Sequence, residues 1–147
     1  MPSVSEFVQN DAEATVKIGK APHQVDIVVR YRPNEITTSR IQQMSERESN
    51  GDMLAFLKLF EETVIEWDVE GPLFGEVVVM NGTGPQKDDD GQDVYERRLL
   101  VAENANVPID PEILKFLPQT TIAQIWRGLV EDQAQPDPQT QRGSRRR

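Results

Sequence analysis

The sequence predicts an α+β fold, with an N-terminal β-hairpin, a helical body of about four helices and a second β-hairpin inserted among the helices. Three observations lead to this prediction. Two short runs of alternating apolar residues flank a turn near the N-terminus. Apolar residues then recur at every third or fourth position, as on one face of a helix. A second pair of β-type runs brackets an acidic loop before two further helical segments.

The first hairpin is expected to pair residues 14–19 with residues 25–31, because both runs alternate apolar and polar side chains. Residues 20–24 contain Pro and supply the turn between them. The second run should present four residues to the core on one face, namely Val25, Ile27, Val29 and Tyr31. Pro33 ends this run, since proline cannot donate a hydrogen bond to a strand ladder.

Two helices are expected next. Thr37 or Thr38 should cap a helix over residues 39–48, with Ile41 and Met44 facing inward. After a break at residues 50–52, the widest apolar stripe of the chain predicts a longer helix that forms the spine of the core. The stripe consists of Met53, Leu54, Phe56, Leu57, Phe60, Val64 and Trp67.

Residues 70–103 are predicted to form the inserted hairpin, in which strands at 76–80 and 96–101 flank the acidic loop. Asp110 and Pro111 then begin a short helix, because Asp accepts the free N–H groups and Pro loses nothing at the first helical position. That helix should end before Pro118.

A last helix should begin at Thr120 or Thr121, with an apolar face of Ile122, Ile125, Trp126, Leu129 and Val130. Residues 1–132 are therefore expected to form a single domain. Residues 133–147 have a polar, Gln- and Arg-rich composition that predicts a disordered tail.

Charge and composition exclude several classes of function. The 147 residues carry a formal charge of −9 and no cysteine, which excludes disulfides and thiolate metal sites. Four of the sixteen basic residues lie in the last six positions, so the rest of the chain has 12 Lys and Arg against 25 Asp and Glu, a charge of −13. Such a surface repels phosphates, which argues against nucleic-acid binding. We expect no signal peptide and no membrane segment, hence a soluble cytoplasmic protein.

Residues that could support catalysis or metal binding are few, and we expect no enzyme, no cofactor and no metal. The single histidine, His23, falls in the predicted hairpin turn, a poor position for a general base. The acidic loop at 88–93 suggests a calcium site. With Gly91 at position 6 of an EF-hand loop, position 12 would be Arg97 instead of the required Glu. A solvated loop is the better interpretation.

The apolar stripes admit two interpretations. Core packing is the ordinary one for stripes of this kind. Alternatively, one stripe remains partly uncovered and docks a helix or an extended segment of a partner protein. The hypothesis for a partner-binding surface then rests on Phe56, Phe60, Trp67 and Trp126. The arginines at the C-terminus either contact a phosphate or an acidic partner, or merely solubilise the chain end.

The order of these features resembles the tail assembly chaperones of long-tailed, siphophage-type bacteriophages. The similarity covers residues 25–130 and is carried by a Tyr-Arg-Pro sequence at 31–33, Trp-Asp at 67–68, an Asp-Asp-Gly loop at 89–91, Pro-Ile-Asp-Pro-Glu at 108–112 and a following Leu-Pro. The segment 70–103 departs from the family pattern. In the family the acidic loop usually joins Trp-Asp directly to the Pro-containing turn, whereas this sequence has a longer, hairpin-like insertion between them.

The resemblance implies a non-enzymatic assembly factor. Proteins of that family bind the tape measure protein, keep it in solution and recruit tail tube subunits around it. They act in the cytoplasm of the infected host cell and are absent from the mature virion. A homo-oligomer is compatible with this role. Two other functions remain open from the sequence alone, a structural tail or connector protein of the virion and an acidic inhibitor that mimics DNA.

Overall fold

The computed structural model describes residues 11–134 and has the predicted α+β fold, with an N-terminal hairpin, four helices and an inserted hairpin. The strands and helices follow in this order: β1 (Ala12–Ile18), β2 (Val25–Tyr31), a 3₁₀ turn (Pro33–Glu35), α1 (Thr38–Ser49), α2 (Met53–Thr63), β3 (Val64–Trp67), β4 (Leu73–Val78), β5 (Met80–Asn81), β6 (Gly84–Pro85), β7 (Tyr95–Val101), α3 (Pro111–Leu114) and α4 (Gln119–Ala134).

The first three strands form an antiparallel sheet in the order β1-β2-β3 that buries only one of its faces. The buried face carries Ala14, Val16, Ile27, Val29 and Tyr31, so the alternation in the sequence is confirmed for these positions. Val25, expected on the same face, is exposed because it lies at the end of β2 next to the turn. The opposite face is polar and carries cross-strand ion pairs such as the one between Lys17 and Asp26.

The expectation that the second helix continues to Trp67 is wrong. Helix α2 ends at Thr63, and Val64–Trp67 pairs with β2 as the third strand. In this ladder Val29 lies opposite Trp67 and Tyr31 opposite Val64, which leaves one extra residue, Ile65, on β3. A β-bulge of this kind places two residues that are three positions apart in the sequence on the same face of a strand. Val64 and Trp67 are therefore both buried in the core, and their spacing imitates that of a helix.

Capping side chains set where three of the helices begin. The Thr37 hydroxyl accepts from the backbone N–H of Arg40 at the start of α1, and the Asp52 carboxylate accepts from Ala55 at the start of α2. The Asp110 carboxylate accepts from the N–H of Glu112, as the Asp-Pro sequence predicts. These contacts confirm the predicted starts of α1, α2 and α3.

The inserted hairpin is confirmed as an antiparallel pair of β4 and β7. It packs on the body through Gly75, where an added Cβ would lie 2.4 Å from the Phe116 ring and 2.6 Å from the Leu100 side chain. Glycine is therefore needed at this position for close packing. A backbone hydrogen bond from the Gly71 N–H to the Ala105 oxygen (2.8 Å) fastens the base of the hairpin.

Helix α4 extends two residues further than predicted, because it includes Gln133 and Ala134. The remaining residues of the predicted disordered tail, with Arg142, Arg145, Arg146 and Arg147, lie outside the described residues. Within 11–134, none of the helices combines the length and the hydropathy that a bilayer crossing requires.

Helix α4 lies directly on β1 through Gly128. A Cβ at this position would lie 2.7 Å from one methyl carbon of Val16 and 2.9 Å from the other, closer than side-chain contacts allow. Val16 is buried and β-branched, so it has little freedom to move aside. The absence of a side chain at Gly128 thus sets the distance between the helix and the sheet.

Replacing Gly128 by Ala should destabilise the protein, although Ala is better than Gly inside a helix by about 1 kcal/mol. The added methyl group overpacks the contact with Val16, and we expect a net loss of about 1–2 kcal/mol in the free energy of unfolding, measured by urea denaturation. Adding Val16→Ala should make Gly128→Ala less harmful than it is alone. A gain in stability from Gly128→Ala would contradict the close contact.

Candidate protein-binding site

The four aromatic residues proposed as a contact surface are all buried, so they do not form an exposed patch. Phe60 and Trp67 pack on each other with ring centroids 6.0 Å apart, and the Trp67 indole N–H donates to the backbone oxygen of Val107 at 2.7 Å. These two residues hold the core together. Phe56 and Trp126 lie elsewhere, at the bottom of a surface groove.

The groove separates α1 from α4 and has a volume of about 320 Å³. We call it the α1–α4 groove. Helix α1 lines it with residues at positions i, i+3, i+4 and i+7, and α4 lines it with two adjacent pairs one turn apart. The lining residues are Ile41, Met44, Ser45, Glu48, Phe56, Trp126, Arg127, Val130 and Glu131.

The lower part of the groove is apolar. Met44, Phe56 and Trp126 are buried and form its base, while Ile41 and Val130 stand on opposite walls and are partly exposed. Ile41 was expected to face inward with Met44, yet 36% of it is exposed because the groove leaves it without cover from α4. The groove therefore offers an apolar surface that the core does not fill.

The rim of the groove is charged. The Arg127 guanidinium reaches across from α4 to the Glu48 carboxylate on α1 at 2.8 Å, and Glu131 is exposed one turn further along α4. The ion pair spans the gap between the two helices. Since Arg127 is well exposed and the pair is solvated, we assign it little stability. It bridges the two helices at the rim of the groove.

The α1 wall is held in place by Arg40. Its guanidinium donates to the backbone oxygen of Leu59 (3.1 Å) and pairs with Glu35 (3.2 Å), so it joins the 3₁₀ turn, α1 and α2. The same group lies 3.3 Å from the hydroxyl of the fully buried Thr63. Only 14% of the Arg40 side chain is exposed, and its hydrogen bonds are correspondingly strong.

The α4 wall is held in place at its C-terminal end by Tyr31. The buried Tyr31 hydroxyl donates to the Asp132 carboxylate and accepts from the Gln133 amide at 2.9 Å. Burial raises the pKa of the Tyr31 hydroxyl well above its usual value, and the hydrogen bond to Asp132 raises it further. This contact explains why α4 continues through Gln133 despite the polar composition that begins there.

Within residues 11–134, the positions considered for chemistry are His23 and the acidic loop. His23 is exposed in the β1–β2 turn, as predicted. In the acidic loop, the Asp88 carboxylate accepts the backbone N–H groups of Asp90 and Gln92, both at 2.9 Å, so it closes a turn. Across residues 11–134, no three His, Asp or Glu side chains are grouped in a way that could hold a metal ion.

Sequence reasoning missed the α1 side of the groove. Helix α1 has only two large apolar residues, Ile41 and Met44, in its twelve positions. This thin apolar stripe is the signal that could have indicated the groove. Two residues cover too little area to pack α1 tightly against two neighbouring helices. The apolar stripes of α2 and α4 are wider and bury more area. For that reason the aromatic residues of these two helices are buried in the core.

The Tyr31 contact predicts a pH dependence. The folded state holds the Tyr31 proton more tightly than the unfolded chain does, so its contribution to stability is present below pH ~10 and is lost as the pH rises above that value. Tyr31→Phe should lower the free energy of unfolding by about 1–2 kcal/mol at pH 7, and its deficit relative to the native chain should shrink between pH 10 and 11.

Urea denaturation at each pH, followed by circular dichroism, measures both effects of Tyr31→Phe. Tyr95→Phe is the matched control. Because Tyr95 is exposed, its replacement should change stability by no more than ~0.5 kcal/mol. A deficit for Tyr31→Phe that stays constant or grows above pH 10 would show that the hydroxyl does not anchor α4.

Comparisons with known proteins leave the function to be argued from the residues themselves. No family model, curated protein or solved structure matches this chain. The resemblance to tail assembly chaperones thus remains a prediction from the sequence pattern.

Proposed function

We propose that this protein is a non-catalytic assembly chaperone that holds a helical segment of a client protein in the α1–α4 groove. The groove is the observation that supports this proposal, since it is open, apolar at its base and bounded by two helices. A third, amphipathic helix is the usual occupant of such a groove, because it can place one apolar residue per turn against the base.

The charge of the protein favours a client helix with a basic polar face. Apart from its last six positions the chain carries −13. At the groove rim Glu48 is paired with Arg127, and Glu131 leaves the rim with one net negative charge. A negative surface around an apolar groove attracts basic segments and speeds their association. The same negative charge keeps a complex with an aggregation-prone partner dispersed in solution.

The client we propose is the tape measure protein of a long-tailed phage, with tail tube subunits recruited to the complex. This identification rests on the order of sequence features from the Tyr-Arg-Pro sequence to the final Leu-Pro and helix. It is consistent with an acidic domain that presents an apolar groove to long helical partners. The protein would act in the host cytoplasm and be left out of the mature virion.

Co-expression with the tape measure protein of the same genome tests the proposal. We expect the full chain to move the tape measure protein into the soluble fraction and to co-purify with it. Ile41→Lys and Val130→Lys place a positive charge on each wall of the groove, where a basic helix would be repelled. Each should reduce the co-purified tape measure protein by roughly tenfold, as expected for the loss of an interface anchor.

Leu54→Lys is the matched control, because Leu54 is an exposed leucine on α2 and does not line the α1–α4 groove. It should leave solubilisation unchanged, and thermal unfolding should show that all three variants fold. Two outcomes contradict the proposal. One is that the native chain does not solubilise the tape measure protein; the other is that purified virions contain this protein in stoichiometric amounts.

A further inference from the structure

The inserted hairpin presents an apolar face to solvent, on the side away from Phe116. Six residues of β4 and β7 point outward there and define what we call the hairpin face, namely Phe74, Glu76, Val78, Tyr95, Arg97 and Leu99. Three of them are large apolar or aromatic side chains, of which Phe74 is 44% exposed, Tyr95 56% and Leu99 54%. The body packs on the other face of this two-stranded sheet at Gly75, and a second layer over the hairpin face would stabilise the sheet further.

The two long strands of the hairpin differ in charge from the rest of the protein, including the acidic loop that joins them. Strands β4 and β7 together contain Glu76, Glu96, Arg97 and Arg98, so their net charge is zero. The chain as a whole carries −9. Two copies of an acidic protein repel one another over most of their surface, and a neutral apolar face is where they can approach at least cost. A strongly basic partner would gain little from binding there.

From this pattern we infer that the hairpin face is a self-association surface, on which a second copy of this chain packs sheet against sheet. The three cross-strand pairs of the face are Phe74 with Leu99, Glu76 with Arg97 and Val78 with Tyr95. The central pair is one acid and one base, and apolar pairs flank it on either side. Such a face is self-complementary, which an isologous dimer requires.

The pairing also selects the orientation of the two copies. A twofold axis parallel to the strands lays β4 of one copy over β7 of the other. Glu76 then meets Arg97 across the interface, and Phe74 meets Leu99. A twofold axis perpendicular to the strands would instead place Glu76 over Glu76 and Arg97 over Arg97. Because like charges directly opposed are unfavourable, the Glu76–Arg97 pair favours the parallel axis.

The size of the face limits the affinity. Strand β4 has six residues and β7 has seven. Each therefore spans about 20 Å, and two strands are about 10 Å wide. This footprint is smaller than the ~800 Å² per partner of a standard stable interface. Arg97 also stacks on the Phe74 ring at 4.8 Å within each copy, so part of the cation's interaction energy is already satisfied. We therefore expect a weak dimer, with a dissociation constant on the order of 100 μM.

Analytical ultracentrifugation of the full chain, alone and over a concentration series, tests the dimer. The mass should rise from 16.7 kDa at low micromolar concentration toward twice that value near millimolar concentration. Leu99→Lys should weaken association by at least roughly tenfold. Val25→Lys, at an exposed strand position on the other hairpin, should leave association unchanged.

Charge reversal tests the orientation. Glu76→Arg and Arg97→Glu each bring like charges together twice across the twofold axis, so each alone should abolish dimerisation. The double variant restores opposite charges and should recover the affinity of the native chain to within about threefold. Circular dichroism of dilute samples checks that every variant folds.

A native chain that stays monomeric near millimolar concentration would overturn the proposal, as would a dimer that Leu99→Lys does not weaken. Since no client is present, neither result bears on the α1–α4 groove.

Discussion

The pairing of β3 with β2 is the interaction on which the rest of the fold depends. The bulge at Ile65 turns Val64 and Trp67 to the same side of the sheet, and it lets α2 end at Thr63 and run directly into a strand. Trp67 then reaches Val107 with its indole N–H, and its backbone oxygen accepts from the Asn106 side chain at 2.7 Å. The C-terminal half of the chain is thereby fastened to the sheet, and α4 is brought beside α1.

The groove follows from this arrangement and from two further contacts. Gly128 brings α4 close to β1, and Tyr31 holds the end of α4 through Asp132 and Gln133. Helix α4 is thus committed to the sheet and cannot also close over the thin apolar stripe of α1. The apolar surface left between the two helices is a consequence of where α4 is anchored. The outward-facing strands β4 and β7 of the inserted hairpin carry no net charge, so the two proposed contacts differ in charge and location.

Much of the fold could be predicted from local chemistry. The two hairpins follow from alternating residues around turns, and Thr37, Asp52 and Asp110 begin helices because their side chains accept free N–H groups. The third strand could not be predicted from the apolar pattern. A bulged strand and a helix both place residues that are three positions apart in the sequence on one face. The candidate site was predicted only in part. Phe56 and Trp126 do lie at the groove, but side-chain periodicity cannot tell which stripe the neighbouring helices cover.

The central claim is that the α1–α4 groove binds a helix with a basic polar face. It is tested most directly by NMR titration of the isotope-labelled full chain with a leucine–lysine helical peptide of roughly 18 residues, about five turns. Signals of Ile41, Val130 and the Trp126 indole should shift, and a leucine–glutamate peptide of the same pattern should leave them unchanged. Equal binding of both peptides, or shifts confined to residues away from the groove, would contradict the account.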